Sequence, residues 1–96
     1  MARVEWTLGA LEDLEQILDH MMRHSVNDAA AKVLKIVEAL EILQQTPLIG
    51  KSVQHGRREL LVGRRRSTYT ARYRYMEDID MVFILSVRSQ RQADKP

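Results

Sequence analysis

The chain has no cysteine. Disulfides and thiolate metal centres are therefore excluded, and the absence fits a reducing compartment. No apolar run is long enough to span a bilayer, and Glu5 interrupts the N-terminus where a secretory signal would need its apolar segment. A cytoplasmic protein without membrane contact is expected. There is no internal repeat, glycine-rich phosphate loop, nucleophile elbow or pair of catalytic carboxylates. With 96 residues, 45% of them hydrophobic and 29% charged, the chain reads as one soluble domain over 1–96 with a modest core.

What is present is an uneven charge. Residues 1–50 carry 4 Lys/Arg against 8 Asp/Glu, whereas residues 51–96 carry 11 against 5. The overall +2 conceals a first half at −4 and a second half at +6. Arg57, Arg58, Arg64, Arg65, Arg66, Arg72, Arg74, Arg88 and Arg91 fall within 35 residues. Such a split points to an anionic partner, either nucleic acid or an acidic peptide.

The periodicities place these charges on elements. Ala2, Val4 and Trp6 alternate with Arg3 and Glu5, a short strand with Trp6 as a core anchor. Thr7 is placed to cap a helix, with Glu12 and Asp13 near its positive end. Apolar residues at 10, 11, 14, 17, 18, 21 and 22 have helical spacing. A break of about three residues follows, and Asn27 is placed to cap a second helix reaching about Gln45. So short a link implies an antiparallel hairpin, whose stripe of Leu11, Leu14, Leu18, Val33, Val37 and Leu40 should face the core. Thr46-Pro47 stops that helix, and residues 47–56 read as a surface loop. Strands are expected at 58–62, 68–76 and 81–87, with turns at 63–67 and 77–80. In the middle strand Tyr69, Tyr73 and Tyr75 should pack under the helices, leaving Arg72 and Arg74 on the wet face. The polar tail over 89–96 is expected to be mobile. The order is β-α-α-β-β-β, an α+β fold.

This order resembles the RelE/ParE superfamily of small toxins from bacterial toxin–antitoxin pairs. The marks are Trp6 before a helix, Ala10-x-x-Asp13-Leu14, Ile17 one turn on, and Pro47-x-x-Gly50. Arg58-Glu59-Leu60, Tyr69-x-x-x-Tyr73 and Val82-Phe83-Ile84-Leu85 follow. The closing Val87-Arg88-Ser89-Gln90-Arg91-Gln92-Ala93 is like the ParE branch, with Ser89 where a histidine is common. The resemblance implies a helical hairpin on a small, twisted, mainly antiparallel sheet. It also implies a cognate antitoxin that wraps and silences the protein. ParE-like members trap DNA gyrase with cleaved DNA; RelE-like members enter the ribosome and cut mRNA.

The chemistry of the residues bears on that choice. Arginine stabilises charge but does not shuttle protons near neutral pH. No histidine lies in the predicted strands, and the tail after Arg91 has no Tyr or His. The leading reading is therefore a non-enzymatic gyrase inhibitor with no cofactor. Its binding surface would draw on Arg58, Arg64, Arg65, Arg66, Arg72, Arg74, Arg88 and Arg91. Antitoxin carboxylates are expected to meet Arg58, Arg72 or Arg74, and operator DNA is expected to be reached only through the antitoxin. The alternative is a ribosome-dependent mRNA endonuclease using Lys51, His55 and Arg72. A third reading is a non-toxic antitoxin-binding module acting as co-repressor. Arg64-Arg65-Arg66 is either a solvated turn or a clamp for anions. His20 and His24 are four apart on one helix, but two ligands do not make a zinc site, and no metal is expected.

Overall fold

A computed structural model describes residues 1–64 and 67–90. Its elements are β1 (Arg3–Trp6), α1 (Leu8–Arg23), α2 (Ala29–Leu40), β2 (Lys51–Ser52), β3 (Arg58–Arg64), β4 (Ser67–Met76) and β5 (Met81–Ser89). Short 3-10 turns occupy Glu41–Gln44, Gln54–Gly56 and Glu77–Ile79. The strands form one sheet in the order β1-β5-β4-β3-β2. β1 runs parallel to β5, and the other neighbours are antiparallel. Two helices pack on one face of the sheet, as expected of this α+β class.

The helix face is set by one small residue. Ala10 is fully buried, and Leu14, Ile17 and Met21 follow it at helical spacing against the core. Leu11 lies about 100° round the helix from Ala10 and is 46% exposed, so it does not belong to the expected inward stripe. In α2 the buried residues are Ala29, Ile36 and Leu40, with Val33 beside them. Val37 is only half-buried because Ile36 takes the inward position.

Helix ends differ from expectation in physical ways. Thr7 caps α1 as expected: its Oγ1 accepts from Ala10 N–H at 3.3 Å. α1 closes with Ser25 in the left-handed region (φ 52). Val26 N–H then bonds Met21 O at 2.9 Å and Ser25 N–H bonds Met22 O at 3.2 Å. This is the Schellman closure, with serine in the position glycine usually takes. The link to α2 is therefore longer than three residues, and Asp28, not Asn27, stands at its N-cap without a side-chain bond. α2 ends at Leu40, and the chain continues as the 3-10 turn Glu41–Gln44, which buries Leu43. There is no acidic residue in the first turn of α1. Asp13 serves the sheet instead: its Oδ2 accepts Val87 N–H at 2.9 Å.

The sheet is longer than the sequence pattern implied. Lys51 and Ser52 pair with Glu59 and Arg58, so the expected loop contains an edge strand. β3 continues to Arg64, where Gly63 pairs with Thr68 and Arg64 with Ser67. β5 extends to Ser89, opposite Tyr69, so residue 89 is strand and not tail. Arg65, Arg66 and residues 91–96 lie outside the described residues, and with them the expectation of a mobile end. β5 also carries an extra residue. Arg72 pairs with Ser86 and Tyr73 with Ile84, which leaves Leu85 unpaired in a bulge. The bulge lets Ile84 and Val87, three apart, both turn into the core.

Candidate functional site

The sheet face turned away from the helices is built by alternation in β3 and β4 and by the bulge in β5. β4 sends Ala71 and Tyr73 into the core and leaves Thr70 and Arg72 on the other side. Pairing then aligns rows across the strands. Lys51 lies opposite Glu59, Glu59 opposite Arg72, and Arg72 opposite Ser86. In the next row Leu61 lies opposite Thr70, and Thr70 opposite Arg88. These residues and Gln90 line an open groove of about 630 Å³.

Arg72 and Glu59 dominate its centre. Nε and Nη2 of Arg72 both donate to Glu59 Oε2, at 3.0 and 2.6 Å. The pair is partly sheltered, with side chains 43% and 28% exposed. A cross-strand pair of this kind contributes about 0.2–1 kcal/mol to the sheet. Arg88 is 65% exposed, with its Nε 3.9 Å from Asp13 Oδ2. Lys51 is exposed and has no ion pair among the described residues. Thr70 Oγ1 bonds Gln90 Oε1 at 3.0 Å.

Other arginines serve the chain itself. Arg58 Nη1 donates to Leu48 O at 3.2 Å and Gly50 O at 2.8 Å. Arg74 Nη2 donates to His55 O at 2.9 Å. Arg57 Nε donates to Gln54 O at 3.2 Å, and its Nη2 meets His55 Nδ1 at 3.2 Å. These guanidinium groups tie the segment before β3 to the sheet. His55 does not line the groove, so of the residues in the nuclease alternative the groove brings together only Lys51 and Arg72. Arg64 is exposed at the far end of β3.

No tyrosine hydroxyl lines the groove. Tyr73 is fully buried on the helix side, where its hydroxyl donates to Pro47 O at 2.7 Å and accepts from Gly50 N–H at 2.9 Å. Tyr75 donates to Asp80 Oδ1 at 2.6 Å. Burial pushes the Tyr69 and Tyr73 hydroxyls above their ordinary pKa of 10.0. The bond to Asp80 does the same, first among several causes, for Tyr75. At the helix side His20 and His24 stack at 4.2 Å between ring centres, with His24 Nδ1 2.9 Å from His20 O. Among the described residues, no group of three or more His, Asp or Glu side chains is placed to hold a metal.

The groove includes residues that were not singled out in sequence. Glu59 was visible only as part of a motif, although its ion pair with Arg72 follows once the register is known. Ser86 and Gln90 join the face because of the bulge, which alternation alone does not reveal.

The family of ParE toxins of type II toxin–antitoxin systems (parDE) matches residues 4–94. The chain belongs to this family. A chain of the chromosomal ParDE toxin–antitoxin system from P. aeruginosa is 29% identical with a TM-score of 0.76, the match covering 93% of this chain and 96% of that one. A chain of the toxin–antitoxin complex RelBE2 from Mycobacterium tuberculosis is 25% identical with a TM-score of 0.59, covering 93% and 98%. The E. coli RelBE complex holds a chain only 14% identical, TM-score 0.66, over 93% and 96%, a likeness of fold alone. No curated protein matches the sequence. The ParE membership gives the motifs their physical sense. Asp13 of Ala10-x-x-Asp13-Leu14 closes the β5 edge beyond the end of β1. Gly50 of Pro47-x-x-Gly50 leaves the space that the Tyr73 hydroxyl fills.

Proposed function

We propose that this ParE-family toxin disables DNA gyrase by binding it, and that a cognate antitoxin silences it. The observation that carries the reading is the chemistry of the groove. Among the described residues it presents Lys51, Arg72 and Arg88 with one carboxylate, and neither histidine nor tyrosine. Cutting RNA requires a group that takes and returns a proton, and arginine does not do so near neutral pH. Glu59 is occupied by Arg72. A surface of this composition suits recognition.

The antitoxin reading draws on the relatives, which are named as a toxin–antitoxin system and a toxin–antitoxin complex. It also accounts for Leu8, Leu11 and Met22, which leave apolar surface exposed on α1. The expected antitoxin contacts at Arg58, Arg72 and Arg74 now require those guanidiniums to exchange internal partners. Arg64 and Arg88 are the more accessible choices.

The test is a supercoiling assay with purified gyrase and no ribosome, run beside a purified translation system. Gyrase should be blocked and ribosome-bound mRNA left whole. Lys51→Ala, Arg64→Ala and Arg88→Ala should each weaken inhibition severalfold, because a binding surface loses energy in portions. Codon-specific mRNA cleavage abolished by one change at Lys51 or Arg72 would overturn the gyrase reading in favour of the nuclease.

A further inference from the structure

We infer that Glu59 is a specificity residue: by holding Arg72 it keeps the outer groove from taking a single-stranded polyanion. The basic half of this chain suggests nucleic acid by composition, yet the arrangement works against it. Glu59 stands between Lys51 and Arg72 in one row of the sheet. Neighbouring strands are about 4.8 Å apart, so a phosphate approaching either cation also meets the carboxylate. One of the two edges with which Arg72 could grip a phosphate through two parallel bonds is already turned on Glu59 Oε2, at 3.0 and 2.6 Å.

The remainder of the lining points the same way. Binding of single strands relies on aromatic platforms as well as cations. Tyr69 and Tyr73 pack on the helix side, and Tyr75 bonds Asp80 in the β4–β5 hairpin. The groove offers Leu61, Thr70, Ser86 and Gln90, one apolar contact and several neutral hydrogen-bonding groups. This inference concerns the groove's own selectivity and does not depend on gyrase being the target.

The experiment is fluorescence anisotropy of a labelled 12-nucleotide single-stranded RNA with the purified full chain, from 50 to 200 mM salt. Glu59→Gln keeps the side-chain shape and removes the charge. It should bind about tenfold more tightly at the lower salt, the order of one added charge-assisted hydrogen bond. Its salt dependence should steepen by about 0.7 in log–log slope, as for one further phosphate contact on a single strand. Glu59→Gln with Arg72→Gln should return to the parent affinity. Glu38→Gln makes the same charge change on the exposed surface of α2 and should leave binding unchanged. Should Glu59→Gln fail to fold, Glu59→Thr repeats the test with a residue that suits a strand. The inference is overturned if neither uncharged variant gains affinity. It is also overturned if Glu38→Gln gains as much, or if the gain survives the loss of Arg72.

Discussion

Removing one oxygen atom from Tyr73 should loosen the segment that carries Lys51 onto the sheet. The Tyr73 ring is fully buried, and its hydroxyl is both donor to Pro47 O (2.7 Å) and acceptor from Gly50 N–H (2.9 Å). Tyr73→Phe keeps the ring and strands both backbone groups. Each buried hydrogen bond contributes about 0.5–1.5 kcal/mol, and an orphaned buried donor costs more than a lost average bond. The expected loss is therefore about 2–3 kcal/mol, a large share of the stability of a domain this size. Near the melting temperature, that corresponds to a fall of roughly 8–24 °C. Urea titration followed by circular dichroism gives the number. Tyr75→Phe is the control, since its partner Asp80 is exposed, and it should cost clearly less than Tyr73→Phe. If Tyr73→Phe costs no more than Tyr75→Phe, the hydroxyl does not anchor the segment and the account of Pro47-x-x-Gly50 fails.

Three further outcomes are expected. Burial first, and against it the Gly50 bond and the nearby Arg58 charge, leave the Tyr73 pKa above its ordinary 10.0. A raised folded-state pKa gives stability that is intact below pH 10 and lost as pH rises through the higher value. Alkaline unfolding followed at the tyrosinate absorbance should therefore steepen above pH 10, and less so in Tyr73→Phe. Gly63→Ala should damage the β3–β4 hairpin severely: Gly63 has φ +99, and an added Cβ would collide with Ser67 O. A thermal melt within a degree or two of the parent would contradict that geometry. Leu40→Ala should cost about 2–5 kcal/mol by denaturant titration, whereas exposed Leu11→Ala should cost under about 0.5 kcal/mol.

Legibility in the sequence followed the physics of each signal. Period two in β4 identified both faces of the central strand, because Tyr69, Ala71 and Tyr73 alternate with Thr70 and Arg72 over a long run. Helix boundaries were harder. The chain closes α1 with Ser25 in a left-handed conformation that serine seldom takes, so nothing local announced the stop. β2 is a pair of residues held from outside, by Glu59 and Arg58, and has no pattern of its own. The bulge at Leu85 was equally silent, since a run of apolar residues reads the same with or without one extra. Leu11 was misplaced because Ala10, the smaller residue, takes the inward position against the sheet.

The arginines show why composition is a weak guide to a site. Nine within 35 residues invited a single explanation, an anionic partner. Arg57, Arg58 and Arg74 instead donate to backbone carbonyls of the segment before β3. That segment is irregular, with left-handed His55 and Gly56, and supplies few backbone partners for itself. Guanidinium forks reach carbonyls that no strand could satisfy. Arg72 is spent on Glu59. Of the basic residues in this half of the chain that are described, Lys51 and Arg88 on the groove and Arg64 at the far end of β3 stay exposed for a partner. Exposed cations steer and orient a protein surface, while the neutral lining of the groove sets the fit. The proposed binding role needs that combination. A phosphodiester-cleaving site would need cations gathered about one scissile group with a proton carrier among them.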